Sequence, residues 1–129
     1  MLNTKLLITE KEMRDFLEQI NSSDKISIDI EFMRRNTFFP EPCVIQLSNG
    51  NFHGCIDLTT STDYKDLFKN IFDSDKKIIL HSCRQDLEIL NMILGYIPKN
   101  IFDTQFAASF LGFKYQIGYA ELIKEIYNI

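Results

Sequence analysis

Asp29 and Glu31 stand two residues apart in the segment Ile26-Ser27-Ile28-Asp29-Ile30-Glu31, where isoleucine alternates with polar residues. In a strand, one face would be all isoleucine. The two carboxylates would project together from the other, about 6 to 7 Å apart along the chain. Like charges that close repel unless a cation lies between them. Oxygen ligands of this hardness suit Mg²⁺ or Mn²⁺. A third carboxylate, Asp86, falls early in a helix-patterned segment after the run Lys77-Ile78-Ile79-Leu80. In parallel α/β arrangements ligands gather beyond the C-terminal ends of strands, which would bring Asp86 towards Asp29 and Glu31. Three such carboxylates would suit phosphodiester hydrolysis with two metal ions. One ion lowers the pKa of an attacking water, and both stabilise charge on the phosphorane-like transition state. Each carboxylate also has an ordinary explanation. Acidic residues are common on the solvated face of a strand, and a first-turn aspartate complements a helix dipole.

The pattern of the chain indicates which elements must hold these residues. Residues 4–9 are a short β-prone run. Thr9 and Glu12 have capping-box spacing, and Met13, Phe16, Leu17 and Ile20 then form one apolar helical stripe. Asn21-Ser22-Ser23-Asp24 ends that helix. Residues 25–31 are the carboxylate-bearing strand, and residues 43–48 are a second strand. Asn49-Gly50-Asn51 is a turn, and residues 52–57 return as a hairpin. The spacing of Tyr64, Leu67, Phe68, Ile71 and Phe72 predicts a helix. A strand over 77–80 and a helix over 82–94 follow, with Gly95 as the helix stop. Residues 100–103 form a short strand, and residues 104–111 and 119–126 form helices separated by Gly112 and Gly118. An antiparallel meander followed by α/β crossovers predicts a mixed sheet with helices on both sides.

The chain has 129 residues, of which 45% are apolar and 25% charged. That supports one domain with a real core and excludes a disordered chain. The net charge of -4 argues against a protein that coats nucleic acid or membranes by bulk charge. No apolar run is long enough to span a membrane, and the first ten residues lack the apolar stretch of a signal peptide, so a cytoplasmic location is expected. Cys43, Cys55 and Cys83 are odd in number and include no Cys-x-x-Cys, as expected for reduced thiols.

Four local words carry more. Asp29-Ile30-Glu31-Phe32-Met33-Arg34-Arg35-Asn36-Thr37-Phe38-Phe39-Pro40 resembles the first exonuclease motif of the ribonuclease D family, within the DEDD superfamily. Val44-Ile45-Gln46-Leu47 resembles the next strand of that family. His81-Ser82-Cys83-Arg84-Gln85-Asp86-Leu87-Glu88 is similar to its second exonuclease motif. Ile101-Phe102-Asp103-Thr104-Gln105, with Ala107-Ala108 and Leu111-Gly112, resembles the segment after that. The resemblance implies a ribonuclease H-like fold and metal-dependent 3'-5' removal of nucleotides from RNA 3' ends, transfer-RNA precursors among them. It implies two divalent ions, Mg²⁺ or Mn²⁺. Asp29 would bridge both, Glu31 would bind one and help hold the nucleophilic water, and Asp86 would bind the second. Phe32 and Met33 sit where the family wedges or backs the terminal nucleotide. His81 would contact substrate, or else serve as a neutral structural histidine at a strand end. Arg34 and Arg35 would contact phosphate, or simply be exposed. Asp103 is expected to bond backbone near Thr104 rather than to bind metal.

The family's third motif, Tyr-x-x-x-Asp on a late helix, has no counterpart. No Asp follows Asp103, and Glu121 and Glu125 read as the polar face of a helix. The expectation is therefore a single exonuclease domain over 1–129, C-terminally incomplete. It would be active alone or with a complementing C-terminal piece, and without the missing motif its first metal would bind more weakly and its water would be poorly positioned. The alternatives are an inactive remnant, an RNA- or protein-binding module, or an acidic metal-binding domain acting on another phosphoester.

Overall fold

The computed structural model describes residues 4–129. The elements run β1 (Leu6–Leu7), α1 (Glu10–Ile20), β2 (Lys25–Met33), β3 (Glu41–Ser48), β4 (His53–Asp57), α2 (Tyr64–Phe72), β5 (Lys77–Leu80), α3 (Arg84–Leu94), β6 (Ile101–Asp103), α4 (Thr104–Phe110) and α5 (Tyr119–Tyr127). This is the order expected from the pattern. The six strands form one mixed sheet in the order β1-β4-β3-β2-β5-β6. β2, β3 and β4 are the antiparallel meander. β1, β5 and β6 join it by parallel pairing.

Local chemistry sets several boundaries. Thr9 and Glu12 close the capping box that starts α1: Glu12 N–H donates to Thr9 Oγ1 at 3.3 Å, and Thr9 N–H to Glu12 Oε2 at 3.2 Å. The β3–β4 turn is held by Asn49, whose Oδ1 accepts from Asn51 N–H at 3.0 Å and Phe52 N–H at 2.9 Å. Gly95 ends α3 with φ 82°, a left-handed turn that a side chain would strain. β2 extends to Met33, two residues past the expected strand, through a bulge between Glu31 and Phe32. α3 begins at Arg84, two residues later than expected.

The isoleucine face of β2 turns towards α1, α2 and α3. Ile26, Ile28 and Ile30 meet Phe16, Phe68, Ile89 and Leu90 in one continuous core. α1 comes close because β4 offers Gly54, where a Cβ would lie 2.9 to 3.2 Å from the Phe16 ring. The opposite face carries Ser27, Asp29, Gln46, His53 and His81 and borders a hollow of about 730 Å³. α4 and α5 lie beyond β6 with a small core of their own (Ala108, Ile117 and Leu122). Tyr119 and Ile123 of α5 form one wall of the hollow. Coverage of the two faces is therefore unequal. No helix among the described residues is long and apolar enough to cross a membrane.

Candidate active site

Asp29 and Glu31 extend from the polar face of β2, paired in register with Gln46 and Val44 of β3. Gln46 Nε2 donates to Asp29 Oδ2 at 3.4 Å, a long bond that steadies one carboxylate. On its other side β2 is paired only briefly: β5 meets it at Lys25, Ile26 and Ser27. β5 ends at Leu80, and the N-terminal turn of α3 takes over beside the distal part of β2. Asp86 sits in that turn, only 7% exposed.

Burial pushes the Asp86 carboxyl up, and the charges of Asp29, Glu31 and Asp103 push it further, to about 7. A backbone hydrogen bond from Ile30 works in the opposite direction. Asp86 thus lies near enough to both β2 carboxylates to feel their charge. Among the described residues no Lys or Arg side chain pairs with Asp29, Glu31 or Asp86. Among those residues, too, no group of three His, Cys, Asp or Glu side chains closes tightly enough around one point to hold a metal ion. The donor chemistry fits a divalent cation, since hard oxygens gather with no protein cation to balance them. The cage is not closed in advance.

The turn that delivers Asp86 is unusual. Ser82 has φ 60°, a left-handed conformation that costs a non-glycine residue roughly 1 kcal/mol or more. Cys83, the residue before α3, makes no side-chain cap. Asp103, at the end of β6, supplies what is missing. Its Oδ1 accepts from Ser82 N–H at 3.0 Å and its Oδ2 from Cys83 N–H at 2.9 Å. The same carboxylate caps α4, accepting from Gln105 N–H at 2.8 Å and Phe106 N–H at 3.3 Å. Burial alone would raise the Asp103 carboxyl, but the bonds from Cys83, Ser82 and Phe106 hold it below the usual carboxylate range. Burial pushes the Cys83 thiol up to about 11, helped by Asp103, so the thiol stays protonated at neutral pH.

His81 has both ring nitrogens engaged within the chain. Nε2 lies 2.9 Å from the carbonyl oxygen of Ile117, and Nδ1 lies 2.9 Å from Thr104 Oγ1. A carbonyl can only accept, so Nε2 carries a proton. The ring also meets Tyr119 edge to face at 5.5 Å between centroids. His81 thereby ties the end of β5 to the α4–α5 connection. Phe32 packs against the main core, whereas Met33, the last residue of β2, is exposed. Arg34 pairs with Glu88 of α3 at 3.3 Å, linking the end of β2 to the helix that carries Asp86.

Two partners were not foreseen from the sequence: Gln46 on Asp29, and Asp103 on the Ser82–Cys83 turn. The expected bonding of Asp103 near Thr104 is present. Its reach across to Ser82 and Cys83 depends on β5–β6 register, which no local pattern encodes.

Residues 5–129 match the family model described as 3'-5' exonuclease. Ribonuclease D of Gluconacetobacter diazotrophicus is 34% identical over 122 residues, covering 94% of this chain and 31% of that protein. Ribonuclease D of Escherichia coli is 29% identical over 124 residues, covering 96% of this chain and 33% of that protein. The crystal structure of Escherichia coli RNase D, described as an exoribonuclease involved in structured RNA processing, superposes with a TM-score of 0.90 at 28% identity. That superposition covers 99% of this chain and 34% of the other. The chain thus spans about a third of the length of the curated relatives it matches.

Proposed function

The chain belongs to the 3'-5' exonuclease family, and on that premise we propose that it forms the catalytic part of a metal-dependent 3'-5' exoribonuclease of the ribonuclease D type. The observation that carries this reading is the approach of Asp86 to Asp29 and Glu31 with no Lys or Arg paired to them among the described residues. Asp29 and Glu31 would hold one divalent ion, and Asp29 and Asp86 a second, with Mg²⁺ or Mn²⁺ the expected identity. When bound, the ions supply a water of lowered pKa and positive charge facing the leaving oxygen. Glu31 would also help to hold that water. Asp29 keeps the two halves of the site in register, because Gln46 and the β2–β3 ladder hold it from behind. Asp86 is held by its burial in the first turn of α3. Met33 is exposed and would back a terminal nucleotide, while Phe32 packs against the main core. His81 would touch substrate only through its ring face, since both nitrogens are already bonded.

The substrate we infer is the 3' end of RNA, which the relatives' names support; single-stranded ends and transfer-RNA precursors are what the family resemblance adds. We also infer that the chain supplies most of one exonuclease domain and works with a C-terminal piece bearing a further carboxylate. Two observations support this: the hollow beside Asp29 lies open, and the relatives are about three times as long.

The test is release of mononucleotides from 5'-labelled single-stranded RNA in Mg²⁺ or Mn²⁺. A ladder shortening one nucleotide at a time is expected, lost with Asp29→Asn. The same assay is repeated with the C-terminal part of a related ribonuclease D supplied separately, which should raise the rate by about 10²-fold if it positions the water. No product under either condition sinks the reading. A second reading is an inactive module that binds RNA or protein. RNA affinity that falls with salt but never leads to cleavage would favour that reading.

A further inference from the structure

Asp86 is brought to the β2 carboxylates by a turn that its own residues do not stabilise. Ser82 occupies the left-handed region at φ 60°, and α3 starts from Cys83 without a side-chain cap. Nothing local favours this path. Both N–H groups of the turn instead point at one carboxylate 20 residues or more away in sequence, Asp103, at 3.0 and 2.9 Å. That carboxylate spends its remaining capacity on the first turn of α4. Asp86 is the third residue after Cys83, so any shift of the turn moves its carboxylate directly.

We propose that Asp103 is a positioning residue: by holding the Ser82–Cys83 turn it sets where Asp86 presents its carboxylate to a divalent ion. This rests on the reading that Asp29, Glu31 and Asp86 bind metal. Asp103 itself contributes no ligand, because its two oxygens already accept four backbone N–H groups. Its two duties can be separated chemically. Asparagine keeps one carbonyl oxygen at the position of Oδ1, so it still caps α4 and still meets Ser82. Its NH₂ then faces the Cys83 N–H, donor against donor, and that bond is lost. Serine also caps a helix well but is too short to reach the turn.

The experiment measures Mn²⁺ affinity of the pure chain by calorimetry or electron paramagnetic resonance, with circular dichroism to follow folding. Asp103→Asn and Asp103→Ser are compared with Asp63→Ala, which removes the cap of α2 at a distance from the site. The expected result is Mn²⁺ affinity about 10- to 100-fold weaker in both Asp103 variants, the range typical when a ligand's supporting partner is lost. Asp63→Ala should lower the melting temperature and leave Mn²⁺ affinity unchanged. Wild-type affinity in the folded Asp103 variants overturns the inference alone. Equal weakening in Asp63→Ala overturns it too, because general destabilisation would then suffice. Failure of both Asp103 variants to fold reduces the residue to a fold determinant and likewise overturns the inference. A wild-type chain that takes up no Mn²⁺ overturns the metal reading and this inference together.

Discussion

Asp86 is a carboxylate placed where a carboxylate is costly. Its proton is bound more tightly in the folded chain than in the unfolded one, with the pKa moved from 3.8 to about 7. Between those values the folded state holds more protons than the unfolded state, so stability falls as pH rises. Below about 4 both states are protonated and the fold keeps its full stability. Metal-free protein should therefore lose stability between pH 4 and pH 7, and a divalent ion should restore it. Asp86→Asn should abolish the slope. At pH 8 without metal it should be more stable than wild type by about 1 to 2 kcal/mol, a figure discounted for the water that still reaches the neighbouring carboxylates. Urea unfolding at several pH values measures this directly. A variant no more stable than wild type at pH 8 would mean that the three carboxylates do not press on one another.

At the scale of elements, the sheet depends on close approach at one position. Gly54 on β4 faces the Phe16 ring of α1, and an added methyl would sit within about 3 Å of it. Gly54→Ala should push α1 away and cost about 1 to 3 kcal/mol, read as a lower denaturation midpoint with an unchanged slope. This element shows what sequence could and could not reveal. The stripe Met13, Phe16, Leu17, Ile20 and the capping box of Thr9 and Glu12 were legible, because a helix's face and start are encoded within a few residues. The alternation of β2 was legible for the same reason, and with it the shared face of Asp29 and Glu31. The seat of Phe16 on Gly54 was not, since it joins residues from separate elements. The bulge was also hidden, because it lies on β3: Cys43 is skipped as the register passes from Val44 opposite Glu31 to Pro42 opposite Phe32. Asp86 could be suspected from its place early in a helix. The room it occupies beside β2 exists because the pairing of β5 with β2 ends at Ser27. Helices were expected on both faces of the sheet. α1, α2 and α3 cover one, while α4 and α5 reach the other only at its margin.

On the scale of the whole molecule, several large apolar side chains of the last two helices and the residues around them are exposed. Phe110 and Leu111 are 76% and 78% exposed, and Tyr115, Tyr127 and Ile129 are similarly open. These side chains contribute little to the fold as it stands. Replacing Phe110 and Leu111 together by serine should change stability by no more than about 0.5 kcal/mol. The same double substitution should weaken any gain in activity from an added C-terminal piece if that piece docks there. A large drop in melting temperature would show instead that α4 and α5 are bound into the main core.

The division into a large core and a small one has a kinetic side. Ala108, Ile117 and Leu122 are the only buried apolar residues in the core of the last two helices, whereas the core under α1, α2 and α3 spans the whole sheet. Contacts so few correspond to a low free energy of local opening, well below that of global unfolding. α4 and α5 would then come away and return many times for each complete unfolding of the chain. Asp29 and Glu31 would be untouched by such excursions, because their strand belongs to the large core. Asp86 would not be equally insulated. Asp103 holds the first turn of α4 and the turn before α3 with one carboxylate, and His81 bridges to Ile117. Each opening would loosen the same tether that sets Asp86, so readiness to bind metal would rise and fall with the breathing of the two terminal helices.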